Sequence, residues 1–293
     1  MITPILYVIL SFVPVGILSL AFEIWHQLRS GGARQPVKDK LLRPPGESCR
    51  WKMEQLNEKI IEVGIWILGF PPTLLICYLS STGTGAASRP ISGVWISAFA
   101  VAAAALAVFV WNWIGLVRER NNWRLAFSAE RAVGEQLNQL MSEGCRVFHD
   151  FPLVGQGNID HIVVAPSGVH AIETRARRKG NASATRQAHE VMYDGQALEF
   201  PFHCDTRDLA QARVQAAQLA QILGDTLHLP ILVQPILTLP GWYVIVRGVG
   251  DVIVVNPTKL DSVILTHAAP VLTAAQIQDI ARVLEQKCRD VEF

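Results

Sequence analysis

The chain has 293 residues, half of them hydrophobic, with 26 basic against 25 acidic side chains. That length suggests two domains, and a net charge of +1 says nothing about nucleic acid or acidic partners, because any functional charge has to be local. Five scattered cysteines (Cys49, Cys77, Cys145, Cys204, Cys288) form no CxxC pair, which argues against a disulfide framework and a zinc site and fits a reducing compartment.

The apolar excess lies before residue 120 and includes three runs near the ~20 residues a bilayer requires. The first, about 2–22, begins MITPIL without a positively charged start, so it reads as an uncleaved anchor. The second, about 60–79, carries Pro71-Pro72 in its middle, which remove backbone donors and predict a kink, and Glu62 near one end, a residue expected to snorkel or to pair with Lys59. The third, about 94–116, contains AVAAAALAVFVW. Loop 23–59 holds Arg29, Arg34, Lys38, Lys40, Arg43, Arg50, Lys52 and Lys59, whereas the next loop holds only Arg89, and Arg118, Arg120 and Arg124 follow the third run. Lys and Arg stay on the cytoplasmic side. The expected topology is therefore a multi-pass protein of a bacterial-type inner membrane, N-terminus outside, with everything after the third span cytoplasmic. Trp25, Trp95, Trp111 and Trp113 fall where interfacial rings are expected.

Residues 1–123 thus form the membrane region and 124–293 a soluble domain. Apolar positions in SAERAVGEQLNQLMSEG (128–144) recur at helical spacing, with Ser128 as N-cap and Gly144 as stop. CRVFHDFPLV reads as a strand, IDHIVVA and GVHAIETR as a hairpin about Pro-Ser-Gly, and EVMYDGQALEF as a second hairpin about Asp194-Gly195. TRDLAQARVQAAQLAQILGDTL is an amphipathic helix. ILVQPILTLP, WYVIVR and DVIVVN are strand-like, and a helix capped by Thr273 closes the chain. The fold class is therefore a layered α/β domain with a mixed sheet.

Two strands carry a carboxylate among apolar residues. Alternation puts Asp160, Ile162 and Val164 on one face of the first, and Val169, Ala171, Glu173 and Arg175 on one face of the second. Buried acids need pairing or a metal. One reading has Asp160 and Glu173 converge on a divalent cation, Mg²⁺ or Mn²⁺, able to activate water beside a phosphate. The other has Asp160 capping a turn that begins at Asn158 and Glu173 paired with Arg175.

The run AERAVGEQLNQL, then GCRVFHDFP, then GNIDHIVVAPSGVHAIET closely resembles the nuclease-related domain, NERD, a branch of the restriction-endonuclease-like PD-(D/E)xK nucleases. The likeness covers about residues 124–260. It implies a restriction-endonuclease-like fold and metal-dependent cleavage of nucleic acid, most simply DNA. The family's helical Glu then falls on Glu130, its strand Asp on Asp160, the Glu of its E-x-K on Glu173 and its helical Gln on Gln211, with Asp160 and Glu173 as the metal ligands. One position departs. The lysine of E-x-K is Arg175, which stays charged and cannot act as a base, although it is able to hold phosphate through two hydrogen bonds. A cleaving enzyme and a module that binds without cutting both follow from the resemblance.

Arg177, Arg178 and Lys179 come directly after this motif and read either as a grip on the nucleic-acid backbone or as a solvated loop. His149, His161 and His170 read as structural histidines of the sheet. Gly155-Gln156-Gly157 reads as a turn. The sequence holds no Walker loop, Rossmann fingerprint, HExxH or GxSxG, which removes the common ATPase, dehydrogenase, zinc-protease and hydrolase classes.

Overall fold

A computed structural model describes residues 13–14, 16–24, 40–82, 93–153, 155, 157–179, 189–266 and 271–291. Most of the first expected span, Trp25, and the loop cations Arg29, Arg34, Lys38 and Arg89 lie outside the described residues. The chain divides into two compact units, residues 1–36 with 52–122 and residues 37–51 with 123–293.

The first unit contains α1 (16–24) and most of two long helices, α2 (Glu47–Thr82) and α3 (Gly93–Asn138). Three spans were expected. Among the described residues two helices, α2 and α3, are long and apolar enough to cross a membrane, and their most apolar windows are 11% and 0% buried. So little burial is unlike the core helix of a globular fold. Pro71 and Pro72 lie inside α2, where the Thr73 hydroxyl bonds the Gly69 and Phe70 carbonyls at 3.1 and 2.8 Å. The carbonyls that the two prolines leave without an amide donor are those one turn back, of Ile67 and Leu68. Aromatic contacts join the two helices: Trp66 stacks on Phe109, and Tyr78 meets Trp95 and Phe99 edge-on. Trp95 is thereby buried instead of lying at an open interface, whereas Trp111 is 81% exposed. Glu62 is exposed and lines a cavity of about 360 Å³ together with Glu23, Glu58 and Lys59.

The helix expected to start at Ser128 does not start there. It is the continuation of α3, and the Ser128 hydroxyl bonds the Arg124 carbonyl one turn back at 2.9 Å. The physical reason is plain in the sequence: the polar run 118–124 holds neither proline nor glycine, so the change from apolar to charged residues does not break the helix. Gly144 does terminate it, at φ 84° after a 3-10 turn over Gln139–Glu143.

The second unit is built on a five-stranded mixed sheet. Its strands are β2 (Arg146–Leu153), β3 (Gly157–Ala165), β4 (Gly168–Thr174), β8 (Val233–Thr238) and β10 (Ile253–Val255), in the spatial order β10-β8-β4-β3-β2. β2, β3 and β4 form an antiparallel meander, and β8 and β10 add in parallel. The connection from β4 to β8 includes α4 (Arg207–Leu227). A smaller sheet, order β7-β6-β5-β9, comprises β5 (Glu190–Tyr193), β6 (Leu198–Glu199), β7 (Cys204–Asp205) and β9 (Tyr243–Val246), with the hairpin about Asp194-Gly195 as expected. Several short elements were not anticipated: β7, a 3-10 turn over Pro257–Lys259, α5 (Leu260–Leu265), and the pairing of β1 (Leu41–Leu42) with β11 (Arg289–Val291).

Helices cover both faces of the main sheet. Ile162, Val164, Val169 and Ala171 pack with Leu219 and Leu223 of α4 and with Ile280 and Leu284 of α6 (Ala274–Cys288). Val163, Ile172 and Ile236 pack with Val133 and Leu137 of α3 and with Leu260 and Ile264 of α5. Burial on two sides explains why β3 and β4 read as nearly continuous apolar runs. It also makes the few polar residues on them stand out. The Thr273 hydroxyl and the Gln276 side chain close a capping box at the start of α6.

Replacing Leu219, which is fully buried in this core, by alanine is expected to cost roughly 2–5 kcal/mol. Val214→Ala, at a position 43% exposed on the same helix, is expected to stay within about 0.5 kcal/mol. Thermal unfolding of the two variants in detergent micelles checks this contrast.

Candidate acidic site

The register of the sheet collects carboxylates at one place. In the β2–β3 ladder His149 faces His161 and Phe151 faces Ile159, so Asp150 lies opposite Asp160. In the β3–β4 ladder His161 faces Ile172, and one further step sets Asp160 opposite Glu173. Asp150, Asp160 and Glu173 thus form a row across three adjacent strands, where like charges repel. Glu130 of α3 joins them electrostatically, since its charge and that of Glu173 disfavour ionisation of Asp160. All four acids are buried, at 0% (Asp150), 2% (Glu173), 5% (Glu130) and 6% (Asp160) exposure.

Two arginines compensate the ends of this row. Arg43 donates through Nη1 to Asp150 Oδ2 at 2.9 Å and to the Asp150 carbonyl at 3.0 Å. Arg175 lies 2.6 Å from Glu173 Oε1, donates to Gln211 Oε1 at 2.5 Å, and places Nε 3.4 Å from Asp208 Oδ1. The Glu173–Arg175 pair weighed from sequence is therefore present. Gln211 Nε2 donates in turn to Glu173 Oε1 at 3.1 Å.

Among the described residues no cation is paired directly with Asp160 or Glu130, although the charge of Arg175 favours the ionised form of both. Asp160 accepts from the Thr174 amide at 2.7 Å and, at 3.4 Å, from Asn158 Nδ2. Glu130 accepts from the Cys49 thiol at 3.1 Å. Its other oxygen, Oε2, and Glu173 Oε2 are buried with no hydrogen-bond partner in bonding geometry among the described residues, although the Gln215 amide lies near enough to Glu173 to favour its charged form. Burial is the main cause that pushes the Glu130 carboxyl up to about 7, with Asp150 and Glu173 adding to it. Burial, then the charges of Glu173 and Glu130, holds Asp160 well above the usual carboxylate range. Burial likewise raises Glu173, opposed chiefly by Arg175, and drives the Cys49 thiol far up.

The remaining sequence candidates separate. Arg177 is engaged by Asp205 and Asp208, lies over the Phe200 ring, and accepts from Trp242 Nε1 through its carbonyl at 3.3 Å. Arg178 and Lys179 are exposed. His149 and His161 bond to each other through their Nδ1 atoms at 2.9 Å, and His149 Nε2 meets Asn138 Oδ1 at 2.9 Å. Burial holds both rings neutral, with His161 well below its ordinary range, and in the neutral pair a His149 Nε2–H that donates to Asn138 leaves its Nδ1 to accept from His161. Burial lowers His149 to about 4, in agreement. This pair bridges β2 and β3 as structural histidines do.

Several partners were not singled out by the sequence reading. Arg43 and Cys49 were read only as a loop charge and a scattered thiol. Ser48, Asp208 and Gln215 drew no attention. Gln215 follows Gln211 by one helical turn and donates to the Asn158 carbonyl at 2.9 Å, so an i,i+4 pair of glutamines on an amphipathic helix was the available signal.

A mixed α/β domain with buried carboxylates in register on neighbouring strands defines the class. Residues 126–240 match the family model of the nuclease-related domain, NERD. That segment contains Glu130, Asp160, Glu173, Arg175 and Gln211, and it supports a nuclease-related function. No curated protein and no solved structure matches the chain.

Glu130 links this site to stability. Its carboxyl keeps a proton in the folded chain up to about 7, against 4.5 when unperturbed. The folded state therefore binds more protons between these values, and the stability due to Glu130 is present at low pH and is lost as pH rises towards neutrality. Glu130→Gln is expected to be near neutral at pH 5 and to stabilise by about 2 kcal/mol at pH 8 in chelator. Melts of parent and variant across that range test this, because the His149 contribution is common to both.

Proposed function

We propose that this chain is a membrane-tethered, cytoplasmic, nuclease-related protein that hydrolyses phosphodiester bonds of nucleic acid, with DNA as the expected substrate. Asp160 and Glu173 would hold the divalent cation, Mg²⁺ or Mn²⁺. The single observation that carries this reading is the row of buried carboxylates across β2, β3 and β4, in whose middle Asp160 is paired with no cation among the described residues.

The donor chemistry suits such an ion. All the donors are oxygens, Glu173 Oε2 has no partner in bonding geometry, and magnesium characteristically takes one or two carboxylates and keeps its water. Among the described residues no group of three His, Cys, Asp or Glu side chains is arranged to hold a metal. The fit is therefore to a two-carboxylate site completed by water and phosphate, not to a closed protein cage. When bound, the ion would supply charge to a phosphate oxygen and acidify a water.

The protein's own groups divide the remaining work. Glu130 has a buried, unpartnered Oε2 and a pKa near neutrality, so it is the group able to accept a proton from an attacking water where Arg175 is not. Gln211 fixes Glu173 Oε1. Arg175, already aimed at the site, would donate to phosphate oxygens. Arg178 and Lys179 would lie along the backbone of the nucleic acid. Tethering is supported by α2 and α3, which are long and apolar enough to span a bilayer, and by loop charges that favour a cytoplasmic second unit.

A second reading has its own observation. Arg175 contacts Glu173, Gln211 and Asp208 at once, so the site is partly neutralised from within. On this reading the unit binds nucleic acid without cutting it.

Plasmid and single-stranded DNA incubated with the full chain in micelles, with Mg²⁺ or Mn²⁺, separate the two. Hydrolysis is expected to be slow and metal-dependent. Asp160→Ala is expected to remove about 99% of it or more, and Arg175→Lys to raise the rate about tenfold. Retardation of DNA without cleavage, with cutting only in Arg175→Lys, favours the binding module. Cleavage that survives Asp160→Ala contradicts the site.

A further inference from the structure

The family-matched segment begins at residue 126, yet Asp150 of the row and Glu130 beside it are held from a stretch some eighty residues earlier. Residues 40–51 belong to the same compact unit as the sheet. β1 pairs with β11, and the Arg43 amide bonds the Cys288 carbonyl at 3.0 Å, which fixes this stretch to the C-terminal end of the unit. The Arg43 guanidinium is then gripped from two sides. Nε and Nη2 meet both oxygens of Asp290 at 2.7 and 2.6 Å, and Nη1 meets Asp150. Asp150 receives a further bond at Oδ2 from the Ser48 hydroxyl at 2.7 Å, and it sits at φ 53°, a conformation uncommon outside glycine.

From Asp150 the contacts lead on to the site. Asn158 Nδ2 donates one hydrogen to Asp150 Oδ1 at 2.7 Å and points the other at Asp160 Oδ1, 3.4 Å away. Gln215 holds Asn158 by its carbonyl. Asp160 Oδ2 is thereby turned to the Thr174 amide. We propose that Arg43, Ser48, Asp150 and Asn158 form a positioning relay that sets the orientation of Asp160, so that the stretch before and at the start of α2 is an integral part of the acidic site. Its functional meaning rests on Asp160 being a site acid. The geometry itself does not.

The chemistry explains why a relay is needed. Asp160 stands between two acids of the same row, and repulsion from either neighbour turns its carboxylate away unless a donor holds each oxygen. Asn158 is a neutral amide able to donate to two carboxylates at once. Arg43 makes the first of them tolerable by pairing its charge.

The relay has a readout independent of metal, DNA and activity. The Thr174 amide hydrogen is held by Asp160 Oδ2, whereas Ala171 and Ile172 lie within the β3–β4 and β4–β8 ladders. Residue-resolved hydrogen exchange of the full chain in micelles, in chelator, compares them. In Asn158→Ala the Thr174 amide is expected to exchange about tenfold faster, with Ala171 and Ile172 changed less than about twofold. Arg43→Met is expected to reproduce that selective change, and Arg43→Lys, which restores a cation at Asp150, to reduce it. If Arg43→Met fails to fold, Asn158→Ala decides alone. Thr174 exchange that is unchanged in Asn158→Ala, or that rises in step with Ala171 and Ile172, overturns the relay whether or not the chain cuts DNA.

Discussion

The site depends on an imbalance of buried charge. Asp150, Asp160 and Glu173 form a row across three strands, with Arg43 paired to Asp150 and Arg175 to Glu173, and Glu130 of α3 is coupled to them electrostatically. Among the described residues no cation pairs directly with Asp160 or Glu130, although the Arg175 charge acts on both. Burying a carboxylate without a partner is far too costly for both to remain ionised, so the folded chain has to hold protons there or accept a positive ion. The raised pKa values of both acids express that constraint.

Much of the surrounding structure serves these four groups. α4 turns two glutamines one helical turn apart towards the strands, one onto Glu173 and one onto the backbone beside Asp160. The first turn of α2 brings Ser48 to Asp150 and Cys49 to Glu130. Each contact donates to an acceptor that burial would otherwise leave bare. Arg177, drawn away by Asp205 and Asp208, ties the strand end to the smaller sheet and adds no charge to the row. Arg175 is the exception, because it pairs with Glu173 and carries a permanent charge, supplying orientation but no base.

The sheet was legible in the sequence because its signals are local. Alternation along IDHIVVA and GVHAIET, the Pro-Ser-Gly turn, the Asp194-Gly195 hairpin and the Thr273 cap each act over a few residues, and all appear where expected. Alternation drew attention to Asp160 and Glu173, and the resemblance to the nuclease-related domain to Glu130 and Gln211; the structure places Gln211 on Glu173 and couples Glu130 to Asp160 electrostatically. What was hidden is long-range. No local pattern places Arg43 against Asp150 across 107 residues, or pairs Leu41 with Val291. Asp150 passed unremarked within the strand CRVFHDFPLV, because its importance comes from register with Asp160 and not from its own surroundings. The start of the helix at Ser128 was misread for the opposite reason: polarity changed there, but the backbone had no cause to stop.

The most direct test is to ask whether the folded chain holds a carboxyl proton at neutral pH and gives it up to a metal. Infrared difference spectra of the full chain, recorded at pH 7 in chelator and again with Mn²⁺, resolve protonated carboxylic C=O absorption from that of carboxylate. The expected result is a protonated band without metal that weakens in Glu130→Gln and disappears when Mn²⁺ is added. A spectrum with no protonated carboxyl at pH 7, or one that Mn²⁺ leaves unaltered, would contradict the charge imbalance and the metal site together.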